Sequence, residues 1–132
     1  MLDASGNLIA KYYLNDHKPA WWTGHGLEEI CRIDWYGDGK DYLVGKERHK
    51  NGAGTIVDAL TGEFKIIFPG EAVRIYAADV IGDAREEVLT IDQRGVIKIF
   101  WNNLQPGSKT ALSYWTFQHY RRQKQNWNYY SP

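Results

Sequence analysis

The stretch "ADVIGDAREEVLTI" (residues 78–91) has a partial copy upstream, "IDWYGDGKDYLV" (33–44), and the pair decides how the chain is read. Asp34 falls on Asp79, Gly37 on Gly82 and Asp38 on Asp83, each 45 residues further on. A second shared element follows, "VDALTGEFKIIF" (57–68) against "TIDQRGVIKIFW" (90–101), after a longer insert in the first copy. Within these segments apolar residues alternate. Phe64, Ile66 and Phe68 share one face of "EFKIIF", and Ile97, Ile99 and Trp101 share one face of "VIKIFW". A period of two is the period of a strand. Further strands are expected over 8–14, 28–35, 41–47, 54–59, 73–79, 86–92 and 111–116, with glycine-bearing turns such as "YGDG", "LTGE", "IGDA" and "QRGV" between several of them. Helix signals are almost absent before residue 117. The fold class is all-β. A repeat of roughly 40–50 residues carrying about four short strands is the pattern of a β-propeller blade. The expectation is a propeller-like fragment of two to three four-stranded blades, with a β-sandwich of two sheets as the alternative.

At 132 residues the chain suits a single domain, read as an N-terminal strand and loop over 1–27 and a blade-like β domain over 28–132. Sixteen basic and sixteen acidic residues cancel, which removes the bulk electrostatic case for nucleic acid or an anionic membrane. No apolar run approaches the ~20 residues of a membrane span. The opening "MLDASGNLIAKYYL" lacks the charged and apolar regions of a signal peptide. Cys31 is the only cysteine, so no internal disulfide forms, and in "EEICRIDW" it reads as a buried, inert thiol. Six Trp and nine Tyr are many for so short a chain, enough to leave some rings exposed to a ligand.

The acidic loop admits two readings. Asp79, Asp83 and Glu87 stand at positions one, five and nine around Gly82, a spacing that can wrap carboxylates round one calcium ion, with the Arg85 carbonyl at position seven as a fourth ligand. Position three is Ile81, which lowers the charge of such a site. The upstream copy keeps Asp34 and Asp38 but has Asp41 at position eight and Tyr42 at nine, so it is the weaker candidate. The other reading is a turn, in which Asp and Gly serve turn geometry and Arg85 neutralises the acids.

The phrases "GDAREEV" and "IKIFWN", within "RIYAADVIGDAREEVLTIDQRGVIKIFWN" (74–102) and followed by "HYRRQKQNWNYYSP" (119–132), resemble the C-terminal blades of the rhamnogalacturonan lyases of polysaccharide lyase family eleven. The likeness spans residues 28 to 130, and propellers with FG-GAP-type calcium loops share part of it. It implies a calcium-stabilised propeller, an acidic plant polysaccharide (pectin or rhamnogalacturonan) as partner, cleavage by β-elimination in the family's full-length members, and a place outside the cell or on its surface. The chain is short for a complete propeller. Carbohydrate binding is therefore the expected activity, with a non-sugar structural or adhesive segment as the alternative and self-association into a homo-oligomer as a consequence of exposed blade faces.

Three stretches offer sugar-binding chemistry. The tail "FQHYRRQKQNWNYYSP" (117–132) interleaves Tyr120 and Trp127 with Arg121 and Arg122; rings stack on sugar faces and arginine grips carboxylates. In "HKPAWWTGHG" (17–26), Trp21 and Trp22 point to opposite sides if extended, so one is a sugar platform at most and the other is core. In "GKERHKNG" (45–52), Arg48 and His49 fall on opposite faces and cannot both converge on one ligand. The bland readings are a closing segment for the tail and a charged edge strand for residues 45–52.

Overall fold

The computed structural model describes residues 1–22, 26–38, 40–49, 51–103 and 112–125. Four strands, β1 (Leu27–Ile33), β2 (Tyr42–Glu47), β3 (Gly54–Asp58) and β4 (Phe64–Ile67), form one antiparallel sheet in chain order. Three more, β5 (Arg74–Ala78), β6 (Glu87–Ile91) and β7 (Ile97–Phe100), form a second. The helix α1 (Gln118–Gln125) follows. All-β is thus the right class, with two antiparallel sheets and, among the described residues, no closed barrel. No helix among them is long and apolar enough to cross a membrane.

Every strand expected between residues 28 and 101 is present. The two outside that span are not. Residues 8–14 carry only an isolated bridge between Leu2 and Leu8 and the start of a 3₁₀ turn at Leu14–Asp16. Their backbone pairs only locally, the Ile9 N–H donating to the Met1 carbonyl at 3.0 Å and the Ala10 carbonyl accepting the terminal ammonium at 2.7 Å, while the Tyr12 hydroxyl donates to the Ala59 carbonyl at 3.2 Å. Over 112–116 a 3₁₀ turn (Tyr114–Thr116) takes the place of a strand, capped by the Ser113 hydroxyl, which accepts the Trp115 N–H.

One core lies between the sheets. Ile33, Trp35, Val44, Ile56 and Phe68 of the first half meet Ile75, Ala77 and Val88 of the second. A fully buried aliphatic side chain contributes about 1.5–3 kcal/mol, so this cluster is the main source of stability. Gly54 permits the close approach: a β-carbon there would stand 2.6 Å from the Ile75 Cδ1.

Two bulges fix which side chains reach that core. In β1 the pairing shifts between Glu28 and Cys31, and Glu29 takes a left-handed φ of 57°. Its carboxylate then crosses to the second sheet and accepts the Ile75 N–H at 2.7 Å. In β4, Ile66 pairs with Ile56 but Phe64 pairs with Val57, leaving Lys65 as the extra residue. Phe64 therefore does not share a face with Ile66 and Phe68, as alternation predicts. It turns to the opposite side and meets Trp22, centroid to centroid at 5.2 Å.

Ile97, Ile99 and Trp101 share a face as expected, but that face is exposed while Phe100, on the other, stacks on Phe68 at 4.6 Å. With Tyr76, Leu89 and Ile91, Ile97 lines an apolar hollow of about 410 Å³ on the outer side of the second sheet. Cys31 is half-buried beside the core, and burial pushes its thiol up to about 11, so it stays protonated and inert near neutral pH.

Candidate functional site

The acidic loop is stitched from within. Gly82 turns it with a φ of 83°. Asp79 accepts the Gly82 N–H at 2.8 Å on one carboxylate oxygen, and the Ser113 hydroxyl and Tyr114 N–H, both at 2.7 Å, on the other. One oxygen of Glu87 accepts the Val80 and Ile81 N–H groups at 2.7 and 2.9 Å. Asp83 accepts the Arg85 N–H and pairs with its guanidinium at 2.8 Å, while Arg85 also donates to the Asn102 carbonyl at 2.7 Å. Asp38 repeats this turn upstream, accepting the Lys40 N–H at 3.0 Å, and Gly37 has a φ of 66°. The two copies share this aspartate turn and the left-handed glycine before it.

A calcium ion needs six to eight oxygens turned on one point. Here Asp79 and Asp83 have hydrogen donors on both carboxylate oxygens, Glu87 has two on one, and the Arg85 guanidinium pairs with Asp83. Among the described residues no three acidic, histidine or cysteine side chains are placed to share an ion. These donors make a turn of the loop, and since an ionised carboxylate has about four lone-pair sites, the oxygens that take a single N–H can also meet an ion. Asp34 stands nearby, and its N–H donates to Glu86 at 3.3 Å.

Glu86 is the residue the sequence pattern passed over. Adjacent glutamates entering a strand face opposite ways, so Glu87 serves the loop and Glu86 faces α1. Glu86 takes the Tyr120 hydroxyl at 3.0 Å and the Lys124 ammonium at 2.7 Å. The same Tyr120 hydroxyl accepts the Asp79 N–H at 2.8 Å. Lys124 also donates to the Ala77 carbonyl at 2.5 Å, and its own carbonyl accepts the Tyr76 hydroxyl at 2.8 Å. Tyr120 is buried, 7% exposed, and burial first, then the neighbouring carboxylates, push its phenol well above the usual range. Its hydroxyl is a clamp between the acidic loop and α1.

Beside this clamp lies a cavity of about 130 Å³, between the end of β1 and the first turns of α1. Phe117, Tyr114 and Tyr120 give it aromatic walls; Arg32, His119 and Gln123 bring polar groups to it. Helical spacing puts His119, Tyr120, Gln123 and Lys124 on this inner side and Arg121 with Arg122, both exposed, on the outer. Tyr120 and the arginine pair therefore do not meet on one ligand.

The remaining candidates are scattered. Trp22 is core, 1% exposed, and Trp21 is exposed beside it. Arg48 and His49 lie in an exposed turn beyond β2, His49 with a left-handed φ of 57°. Lys46, two residues earlier, is buried in an ion pair with Glu28. Trp127 lies outside the described residues. No known protein family, curated protein or solved structure matches the chain.

Two outcomes follow from the loop. A cation bound at a hundred times its dissociation constant would add about 2.7 kcal/mol and be plain in a melt. If the loop holds calcium the protein should melt lower in EGTA, and equal melting in calcium and in EGTA would leave the loop a turn. A calcium-dependent rise that Asp83→Ala abolishes would show that the ion wins those oxygens. The second outcome concerns pH. Burial, aided by Asp83 and Asp79, raises the Glu87 carboxyl above its ordinary 4.5 against the pull of the Ile81 and Val80 N–H groups. The folded state then holds this proton more tightly than the unfolded chain, so this residue's contribution to stability declines as pH rises from about 4.5 through the raised value. Glu87→Gln keeps an acceptor for both N–H groups, so the variant should gain on the parent as pH rises, read from urea midpoints.

Proposed function

We propose that the chain is a carbohydrate-binding segment of β-propeller lineage, related to the family-eleven polysaccharide lyases and directed at acidic plant polysaccharide outside the cell. The observation that carries this reading is the two-sided helix. Its inner side closes an aromatic-walled cavity with His119 and Gln123, and its outer side holds Arg121 and Arg122 in solvent. Polysaccharides present ring C–H faces, hydroxyls and, in pectins, carboxylates; rings, amides and guanidinium groups are their natural counterparts. The phrases "GDAREEV" and "IKIFWN" support the lineage, as do two sheets repeated with the same loop. Calcium is the cofactor this lineage implies, held by Asp79, Asp83 and Glu87 in competition with the Arg85 guanidinium at Asp83.

The test is calorimetric titration with pectin-derived oligosaccharides. Binding should weaken with salt, and Arg121→Ala and Arg122→Ala should each cost up to about 1 kcal/mol, the scale of an exposed ion pair, with melting unchanged. Absence of binding to galacturonan and rhamnogalacturonan fragments alike would overturn the reading. Growth of unsaturated-uronate absorbance in the same mixture would make the segment a lyase and not only a binder.

A second reading, a structural segment that self-associates, is favoured by the apolar outer face of β5–β7, where Ile97 is 59% exposed. An uncovered face of this kind tends to associate. Light scattering should then show mass rising with concentration, reversed by Ile97→Lys; a single-chain mass throughout would leave sugar binding as the one function proposed.

A further inference from the structure

The cavity beside α1 is built for a different part of the ligand than the exposed arginines. Its size is that of a single ring: a buried space of ~150 Å³ takes up benzene, and this one is about 130 Å³ with an open mouth for exocyclic groups. Phe117, 43% exposed, and Tyr114 offer faces for the C–H side of a ring.

Its charge is balanced. Two cations, Arg32 and Lys124, and two carboxylates, Asp34 and Glu86, line it. Both cations already have carboxylate partners, Lys124 in Glu86 at 2.7 Å and Arg32 in Asp41 at 2.5 Å. An anionic ligand entering here lies against the Asp34 and Glu86 carboxylates and finds Lys124 already held by buried Glu86, a like-charge contact that costs more in a half-enclosed site than in water. A neutral polyol meets no such barrier. Its hydroxyls can donate to Asp34 and accept from Gln123 or His119, groups that suit hydroxyls in both directions.

We propose that this cavity binds one neutral pyranose unit and discriminates against a uronate, so that an acidic polymer is recognised through a neutral residue in the cavity. The inference rests on the carbohydrate reading and adds to it which sugar the cavity takes.

The experiment uses the full chain and small probes: the methyl glycosides of galactose, glucose, mannose and rhamnose, and of galacturonic acid, observed by saturation-transfer NMR with affinities from titration. At least one neutral glycoside should bind, with the galacturonide about tenfold weaker or silent, the scale of one unfavourable charge contact. Phe117→Ala and Gln123→Ala, both at exposed positions, should each weaken the neutral glycoside about three- to tenfold while circular dichroism stays that of the parent. A galacturonide that binds as tightly as the neutral sugars overturns the proposal, as does a neutral glycoside indifferent to both substitutions. Pectin fragments that bind while every methyl glycoside fails would remove the cavity and leave the carbohydrate reading standing. Failure of fragments and glycosides together would remove both.

Discussion

Asp79 is the residue on which the second half of the molecule depends. Its carboxylate takes the Gly82 N–H, the Ser113 hydroxyl and the Tyr114 N–H; its own N–H goes to the Tyr120 hydroxyl; its carbonyl takes the Trp115 indole N–H at 2.5 Å. Five donors and acceptors from three separate segments converge on one residue that is 1% exposed. A buried carboxylate without such partners would cost several kcal/mol, so the segments are obliged to arrive together. The loop, the 3₁₀ turn and the helix are positioned by that obligation more than by apolar packing.

The other buried charges follow the same logic. Lys46 with Glu28, Arg85 with Asp83 and Lys124 with Glu86 each bury a charge beside its opposite. Such pairs add little net stability over an apolar substitute, but breaking one leaves a charge stranded. Their value here is positional. Arg85 ties the acidic loop to the Asn102 carbonyl, and the Asn102 amide reaches the Trp35 carbonyl at 3.2 Å, so Asn102 links the two repeats while the guanidinium holds it in place.

Much of this was legible from residue order alone. Alternation located seven strands, and the internal repeat foretold two loops with the same Asp-centred turn. What the pattern missed has physical causes. One inserted residue, Lys65, reverses the side on which Phe64 lies, and periodicity carries no notice of a bulge. Residues 8–14 look like a strand because they are apolar, yet a strand needs a neighbouring strand to pair with, and their backbone bonds reach only Met1 and the turn that follows. At the site, spacing suggested carboxylates gathered on an ion; whether N–H donors reach them first is a matter of distant segments, notably Ser113 and Tyr114. Tyr120 was singled out for its ring, whereas its hydroxyl is what the fold uses. Glu86 was open to discovery, since a glutamate doublet at the start of a strand must send one carboxylate each way.

The helix that walls the cavity has eight residues, fewer than a helix needs to persist by itself in water. It stands because Tyr120 and Lys124 fasten it to Glu86 and the second sheet. Such a wall belongs to the low-stability end of a domain, opening before the sheets do when heat or denaturant is applied. The cavity's closed fraction would then scale the apparent affinity of the ligand proposed for it, and a ligand that touches Phe117 or Gln123 would firm up the helix as it binds. On that proposal, recognition and local order are one equilibrium, seen from two sides.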